Sequence, residues 1–353
     1  MWIFENKIRD FLYIYLPGLL TLVLFELIQS NHLITAVLSF MIFNFIDVGH
    51  VYSTVWRTIF DKVELNRSKR YLYTPIILVI ITFSWIYFKI PYFWSFVGYF
   101  TLYHNLRQGF GITKWYEKKN ENFHKYTSYI FYGLTYLPLI MFHFRNKNFG
   151  VLYYADQDIF LYTNHHPFNL NFLGLSVEFP NVFMLFFSIT YLLILTYWIL
   201  KEFIIYSRIK KIEYNRILFM LYFFFIYFYS FLLSENILEM TAALVMSHGI
   251  PYFFMMHYSL LKTRKHKFSK MKSFISLAII AFVGGMINFL GEEFIKDGFD
   301  YMKNVNINFL EYILVFFYVV PVLCHFIWDA YIWRGHHPDA KIIYNKDEIY
   351  DKK

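Results

Sequence analysis

The sequence predicts an all-α fold: a polytopic bundle of about ten transmembrane helices, with both termini on the cytoplasmic side. Three observations carry this. Of 353 residues, 58% are hydrophobic and 24% aromatic, while only 16% are charged, well below the roughly 25% charged residues of soluble domains. The apolar residues fall in runs of roughly 17–26, long enough to cross a bilayer and too numerous for buried core helices. Lys and Arg concentrate on every second connection, as the positive-inside rule requires of cytoplasmic loops.

The runs follow in order. The first, 11–28, has no small-residue cleavage site behind it and reads as a retained span rather than a signal peptide. The next four are 33–56, 72–88, 92–113 and 126–144. A polar and aromatic segment, 145–180, carries Tyr153, Tyr154, Asp156, Asp158 and His165-His166. It is expected to be extracytoplasmic, lying in the interface or folding back on the bundle mouth. Five more spans follow at 181–205, 215–233, 237–261, 273–291 and 308–333, then a short charged tail, 334–353. No repeat, linker or soluble domain interrupts the chain, so 1–353 reads as a single integral membrane domain.

The charge pattern sets the orientation. Arg57, Lys62, Arg67, Lys69 and Arg70 follow the second span, and Lys114, Lys118, Lys119 and Lys125 the fourth. Lys201, Arg208, Lys210, Lys211 and Arg216 follow the sixth, and Lys262, Arg264, Lys265, Lys267, Lys270 and Lys272 the eighth. The other connections are nearly uncharged or acidic, as with Glu292, Glu293, Asp297 and Asp300. The net charge of +8 therefore reports topology and not nucleic-acid binding. A single cysteine, Cys324, excludes an internal disulfide and a thiolate cluster. No phosphate-binding glycine loop or nucleophile elbow is present.

Polar residues inside the spans point to the site. His50 lies on the second span, His104 on the fourth, His248 and His257 on the eighth, and His325 on the tenth. All four helices run in the same direction, and each histidine falls in the middle or cytoplasmic half. Ionisable groups at such depth are costly and mark function. Asp47 and His50 are three residues apart, and His325 and Asp329 four, so each pair shares a helix face. Imidazole and carboxylate sets of this kind build metal sites in helical bundles. The candidate metal ligands are thus Asp47, His50, His104, His248, His257, His325 and Asp329, with each carboxylate alternatively orienting its own histidine. Pro251 separates His248 from His257, so either a kink brings both inward or only one belongs; Ser247-His-Gly-Ile-Pro251 favours His248. A site without thiolates suits iron, zinc or manganese, iron foremost for oxygen chemistry. Arg57 and Arg107, with Gln108, are candidates for gripping a polar end of the substrate. Asp61 is expected to pair with Arg57, and His336-His337 to lie in a juxtamembrane loop.

Multiple spans with histidines at a common depth resemble the membrane-integral histidine-motif oxygenases, a group that includes lipid desaturases and hydroxylases and the Brp/Blh-type carotenoid dioxygenases. The resemblance is architectural and carries over no catalytic residue. It implies a non-haem iron centre and a hydrophobic substrate. The expected function is a membrane-embedded, metal-dependent enzyme, of oxygenase or hydroxylase type, acting on a lipid or isoprenoid, with an electron-donor protein as partner. In a bacterium it would reside in the inner membrane. The alternatives are a metal-free transferase with a histidine general base, His104 being the candidate, and a transporter with a polar pathway.

Overall fold

The computed structural model describes residues 2–4, 6–28, 31–121, 124–144, 153–154, 157–158, 169–172, 175–210, 212–234, 237–264, 269–301, 312–313, 315–334, 337–338 and 340–341. They are overwhelmingly helical. The helices are α1 (Lys7–Ile28), α2 (His32–Thr58), α3 (Lys62–Arg67), α4 (Arg70–Tyr87), α5 (Phe93–Lys119), α6 (Thr127–Phe142), α7 (Phe179–Ile209), α8 (Tyr214–Leu233), α9 (Ile237–Thr263), α10 (Lys270–Tyr301) and α11 (Val315–Ile332). Seven of them, α1, α2, α4, α7, α8, α10 and α11, contain a stretch long and apolar enough to cross a membrane. Helices α5 and α9 have 27 residues each and carry more polar side chains, while α6 has 16.

Local chemistry sets the ends. Asn31 caps α2 by accepting from the Ile34 amide (3.1 Å), and Asp61 caps α3 by accepting from Val63 (2.9 Å). The turn after α4 places Lys89 and Tyr92 at positive φ, and the Trp85 indole closes it onto the Ile90 carbonyl (2.9 Å). Three features depart from the sequence reading. Helix α3 occupies a stretch expected to be loop. Helix α10 continues to Tyr301 instead of ending near 291. The 145–180 segment holds two antiparallel pairs, Tyr153–Tyr154 (β1) with Gln157–Asp158 (β2) and Asn169–Phe172 (β3) with Leu175–Glu178 (β4). His165 and His166 lie outside the described residues.

The chain forms two compact units, residues 1–22 with 102–244 and residues 23–101 with 245–353. In the first, the Asp10 carboxylate accepts from the Ile3 and Phe4 amides (2.8 and 2.7 Å) and the Tyr116 hydroxyl (2.6 Å), fastening the N-terminus. Arg216 bridges Glu213 and Glu202, at 2.6 Å each, and the Phe131 and Phe223 rings stack at 5.2 Å.

In the second unit, α2 and α10 approach closely through small residues, the usual device where lipid gives helices no hydrophobic drive to associate. A Cβ on Gly285 would stand 2.6 Å from the Asn44 carbonyl oxygen, and one on Gly49 2.8 Å from the Ala281 side chain. Asn288 donates to Asn44 across this seam (2.9 Å). The Tyr52 hydroxyl donates to the Phe317 carbonyl (2.8 Å), tying α2 to α11. The opposite faces of α4 and α10 expose Ile76, Ile77, Ile80 and Ile81, and Ile275, Ile279, Phe282 and Val283. Patches of that size are a liability in water and the normal surface in hydrocarbon.

Candidate functional site

Three helices of the second unit each contribute a pair of residues four apart: His50 and Thr54 from α2, His248 and Tyr252 from α9, His325 and Asp329 from α11. A spacing of four puts both members on one face, one turn apart. The pairs meet in register. The imidazoles meet each other: His50 and His248 with ring centres 4.8 Å apart, His50 and His325 4.7 Å apart. The second members also meet: Tyr252 lies 2.8 Å from Asp329 Oδ1, Thr54 Oγ1 lies 3.4 Å from the same oxygen, and Thr54 hydrogen-bonds Tyr252. First members touching first, and second touching second, means that the three helices run parallel. The site is thus two stacked layers, one of imidazoles and one of hydroxyls and a carboxylate.

All three histidines are buried, and their potential ligand atoms lie within 4.8 Å of one another. His50 Nδ1 faces the Ile46 carbonyl at 3.1 Å. A carbonyl only accepts, so Nδ1 carries the proton and Nε2 keeps its lone pair. That lone pair faces His248 Nε2 at 3.2 Å. At metal–nitrogen distances of about 2.1 Å, such a separation subtends an angle of about 100°, close to a tetrahedral or octahedral edge. Gly249 lets α9 lie this close: a Cβ there would meet the Ile46 side chain at 3.0 Å and His50 Nδ1 at 3.5 Å. The widened π-type turn over Met41–Val48 leads directly into His50, and such turns accompany functional sites.

The remaining sequence-predicted residues are placed as follows. Asp47 Oδ1 lies 3.8 Å from His50 Nδ1, beyond hydrogen-bond range. Helix α9 continues through Pro251, and His257 Nδ1 faces Ser273 Oγ at 3.0 Å, so the structure does not bring His257 to the other histidines. His104, Arg107 and Gln108 belong to the first unit, where Arg107 donates to the Tyr132 hydroxyl (2.7 Å) with its guanidinium over Phe110.

Arg57, expected to position substrate, lies in a clasp. It donates to Asp61 (2.6 Å), the pairing that its spacing suggested, and lies 3.5 Å from Glu64. Arg264, just past α9, reaches Asp61 and Glu64 at 3.1 and 3.2 Å, and His337, past α11, reaches Glu64 at 3.2 Å. The ends of the three site helices are thereby tied to α3. Burial alone would raise the Glu64 carboxyl, but the hydrogen bond with His337 and the positive charges of Arg57, His337 and Arg67 hold it down to about 2. His336 lies outside the described residues.

No protein-family model, curated protein or solved structure matches this chain. Its chemistry is therefore read from the site alone. Thr54 sits one turn after His50 on α2, where an uncharged hydroxyl gives no signal of its own. Tyr252 likewise sits one turn after His248. With 32 tyrosines in the chain, one more on an apolar helix gives no signal by itself.

Proposed function

We propose that the chain is a membrane-embedded, metal-dependent enzyme, of oxygenase or hydroxylase type, that acts on a lipid or isoprenoid substrate. The observation that carries this is the convergence of three buried imidazoles on one point. His50, His248 and His325 would hold the ion, with the carboxylates of Asp47 and Asp329 3.8 and 3.6 Å from Nδ1 of His50 and His325, placed to offset part of a divalent charge in a medium where uncompensated charge is costly. Iron is the favoured metal for an all-nitrogen set used in oxygen chemistry, with zinc or manganese as alternatives. Such an ion supplies Lewis acidity and, as iron, a means of engaging oxygen. The chain's own part is to orient the imidazoles, exclude bulk water and hold a proton at His50 Nδ1. An oxygenase of this kind draws electrons from a donor protein.

The topology we infer has ten spans, with both termini and the imidazole-bearing helix halves toward the cytoplasm. The parallel run of α2, α9 and α11 supports it. Five long helices lie between α2 and α9, and one between α9 and α11; if each crosses the bilayer, all three site helices point the same way. The apolar faces of α4 and α10 support a bilayer setting, in the inner membrane if the source is a bacterium, and a hydrophobic substrate entering from it.

A second reading is favoured by one contact. Thr54 Oγ1 lies 2.7 Å from His325 Nδ1, an arrangement that could also orient a metal-free general base for acyl or glycosyl transfer. Metal analysis of detergent-purified protein separates the two. About one transition-metal ion per chain, lost in His50→Ala, supports the first reading. Metal-free protein that takes up none on reloading rules it out.

A further inference from the structure

The carboxylate nearest to His325 is on its own helix, yet it does not reach the ring. Asp329 Oδ1 and His325 Nδ1 are 3.6 Å apart, beyond hydrogen-bond range. Two hydroxyls from the other site helices fill the gap. Thr54 Oγ1 lies 2.7 Å from His325 Nδ1, Tyr252 hydrogen-bonds Thr54, and the Tyr252 hydroxyl lies 2.8 Å from Asp329 Oδ1. We propose that Tyr252 and Thr54 are positioning residues that carry the influence of Asp329 to His325, fixing the tautomer in which Nδ1 is protonated and Nε2 is presented for metal binding. This rests on the reading of the three imidazoles as a metal site, and it assigns that site a relay built from all three helices.

Donor counting gives the direction. A carboxylate accepts, so Tyr252 donates to Asp329. Tyr252 has no second proton and accepts from Thr54. Thr54, whose one proton is then engaged, accepts from His325 Nδ1–H. The lone pair of His325 is left on Nε2, as the Ile46 carbonyl leaves that of His50 on its own Nε2. A carboxylate acting on a ligand histidine is a usual outer-shell arrangement, and its loss typically weakens metal binding by about 10–100-fold. Here two side chains from other helices must be in register before the ligand takes its tautomer, so binding competence depends on helix assembly. Loss of the Thr54 hydroxyl breaks the relay outright, while loss of the Tyr252 hydroxyl leaves only the longer Thr54–Asp329 contact, at 3.4 Å, to order it.

The test is a Co²⁺ titration of metal-stripped, detergent-purified full-length protein, followed by the visible ligand-field absorption of the bound ion. Tyr252→Phe and Thr54→Val each remove one hydroxyl at nearly constant volume; Thr54→Ser removes a methyl and keeps the hydroxyl. We expect Tyr252→Phe and Thr54→Val to weaken Co²⁺ binding by about 10–100-fold and to shift the absorption band, and Thr54→Ser to bind within about threefold of wild type. Wild-type affinity and spectrum in Tyr252→Phe overturn the proposal. So does a Thr54→Ser variant as weak as Thr54→Val, because packing would then be the cause. If a hydroxyl-deleted variant does not fold, ¹⁵N shifts of histidine-labelled wild type read the tautomer directly, and a proton on His325 Nε2 overturns the proposal. Wild type that binds no Co²⁺ at all refutes the metal site itself, an outcome distinct from loss in the variants alone.

Discussion

Glu64→Gln should uncouple the clasp at the ends of α2, α9 and α11 without touching the imidazoles. Glu64 is fully buried and accepts from Arg67, Arg264 and His337, with Arg57 3.5 Å away. Its carboxyl is held at about 2, against 4.5 for an unperturbed glutamate. At about 1.4 kcal/mol per pH unit across that interval, ionised Glu64 favours the folded state by on the order of 3 kcal/mol. The sign follows from the depressed folded value. The contribution is complete above pH 4.5 and is lost as pH falls from 4.5 through about 2. Glutamine keeps the shape and removes the charge, leaving three arginines around a neutral group. The assay is unfolding in detergent micelles across this pH range, comparing wild type with Glu64→Gln. The variant should be less stable by about 3 kcal/mol at pH 7, and the gap should narrow below pH 4.5. A constant gap from pH 7 to pH 2, or none at pH 7, would refute the reasoning. Metal content should stay at the wild-type level, because the clasp lies beyond both layers of the site.

Further expectations can be checked separately. His248→Ala should lose bound metal as His50→Ala does, whereas His257→Ala, whose ring faces Ser273, should retain it; metal analysis of the three variants decides. Gly285→Ala forces a Cβ to within 2.6 Å of the Asn44 carbonyl and should cost about 1–3 kcal/mol, while Gly111→Ala, with nothing within 4 Å, should be neutral or slightly stabilising; thermal unfolding reports both. In a Cys324→Ala background, single cysteines placed in 62–70 and in 145–180 should label from opposite sides of the membrane. Labelling from the same side would contradict the ten-span topology.

Most of the helical architecture was legible in the sequence, because a chain that must satisfy its backbone inside lipid writes its spans as long apolar runs. His50, His248 and His325 were legible because an imidazole in such a run is conspicuous. Their grouping was not, since no spacing within one helix reveals the register between three. Thr54 and Tyr252 carry no charge and are tolerated on any membrane helix, so their part emerges only from contact with Asp329. Arg57 shows the opposite problem. Its spacing correctly puts it on the His50 face, but two turns of helix move it out to Asp61 and Glu64, where an ion cluster takes its charge. The contribution of His337 was hidden because its partner is about 270 residues away in sequence. The β-pairs within 145–180 were obscured by an aromatic content that reads equally well as an interfacial segment.

The central claim is that His50, His248 and His325 bind one metal ion together. X-ray absorption at the metal edge of purified, metal-loaded protein tests it most directly. Three imidazole nitrogens at about 2.1 Å are expected in the wild type, with the metal signal lost in His248→Ala. An oxygen-only first shell, or a spectrum unchanged by His248→Ala, would contradict it.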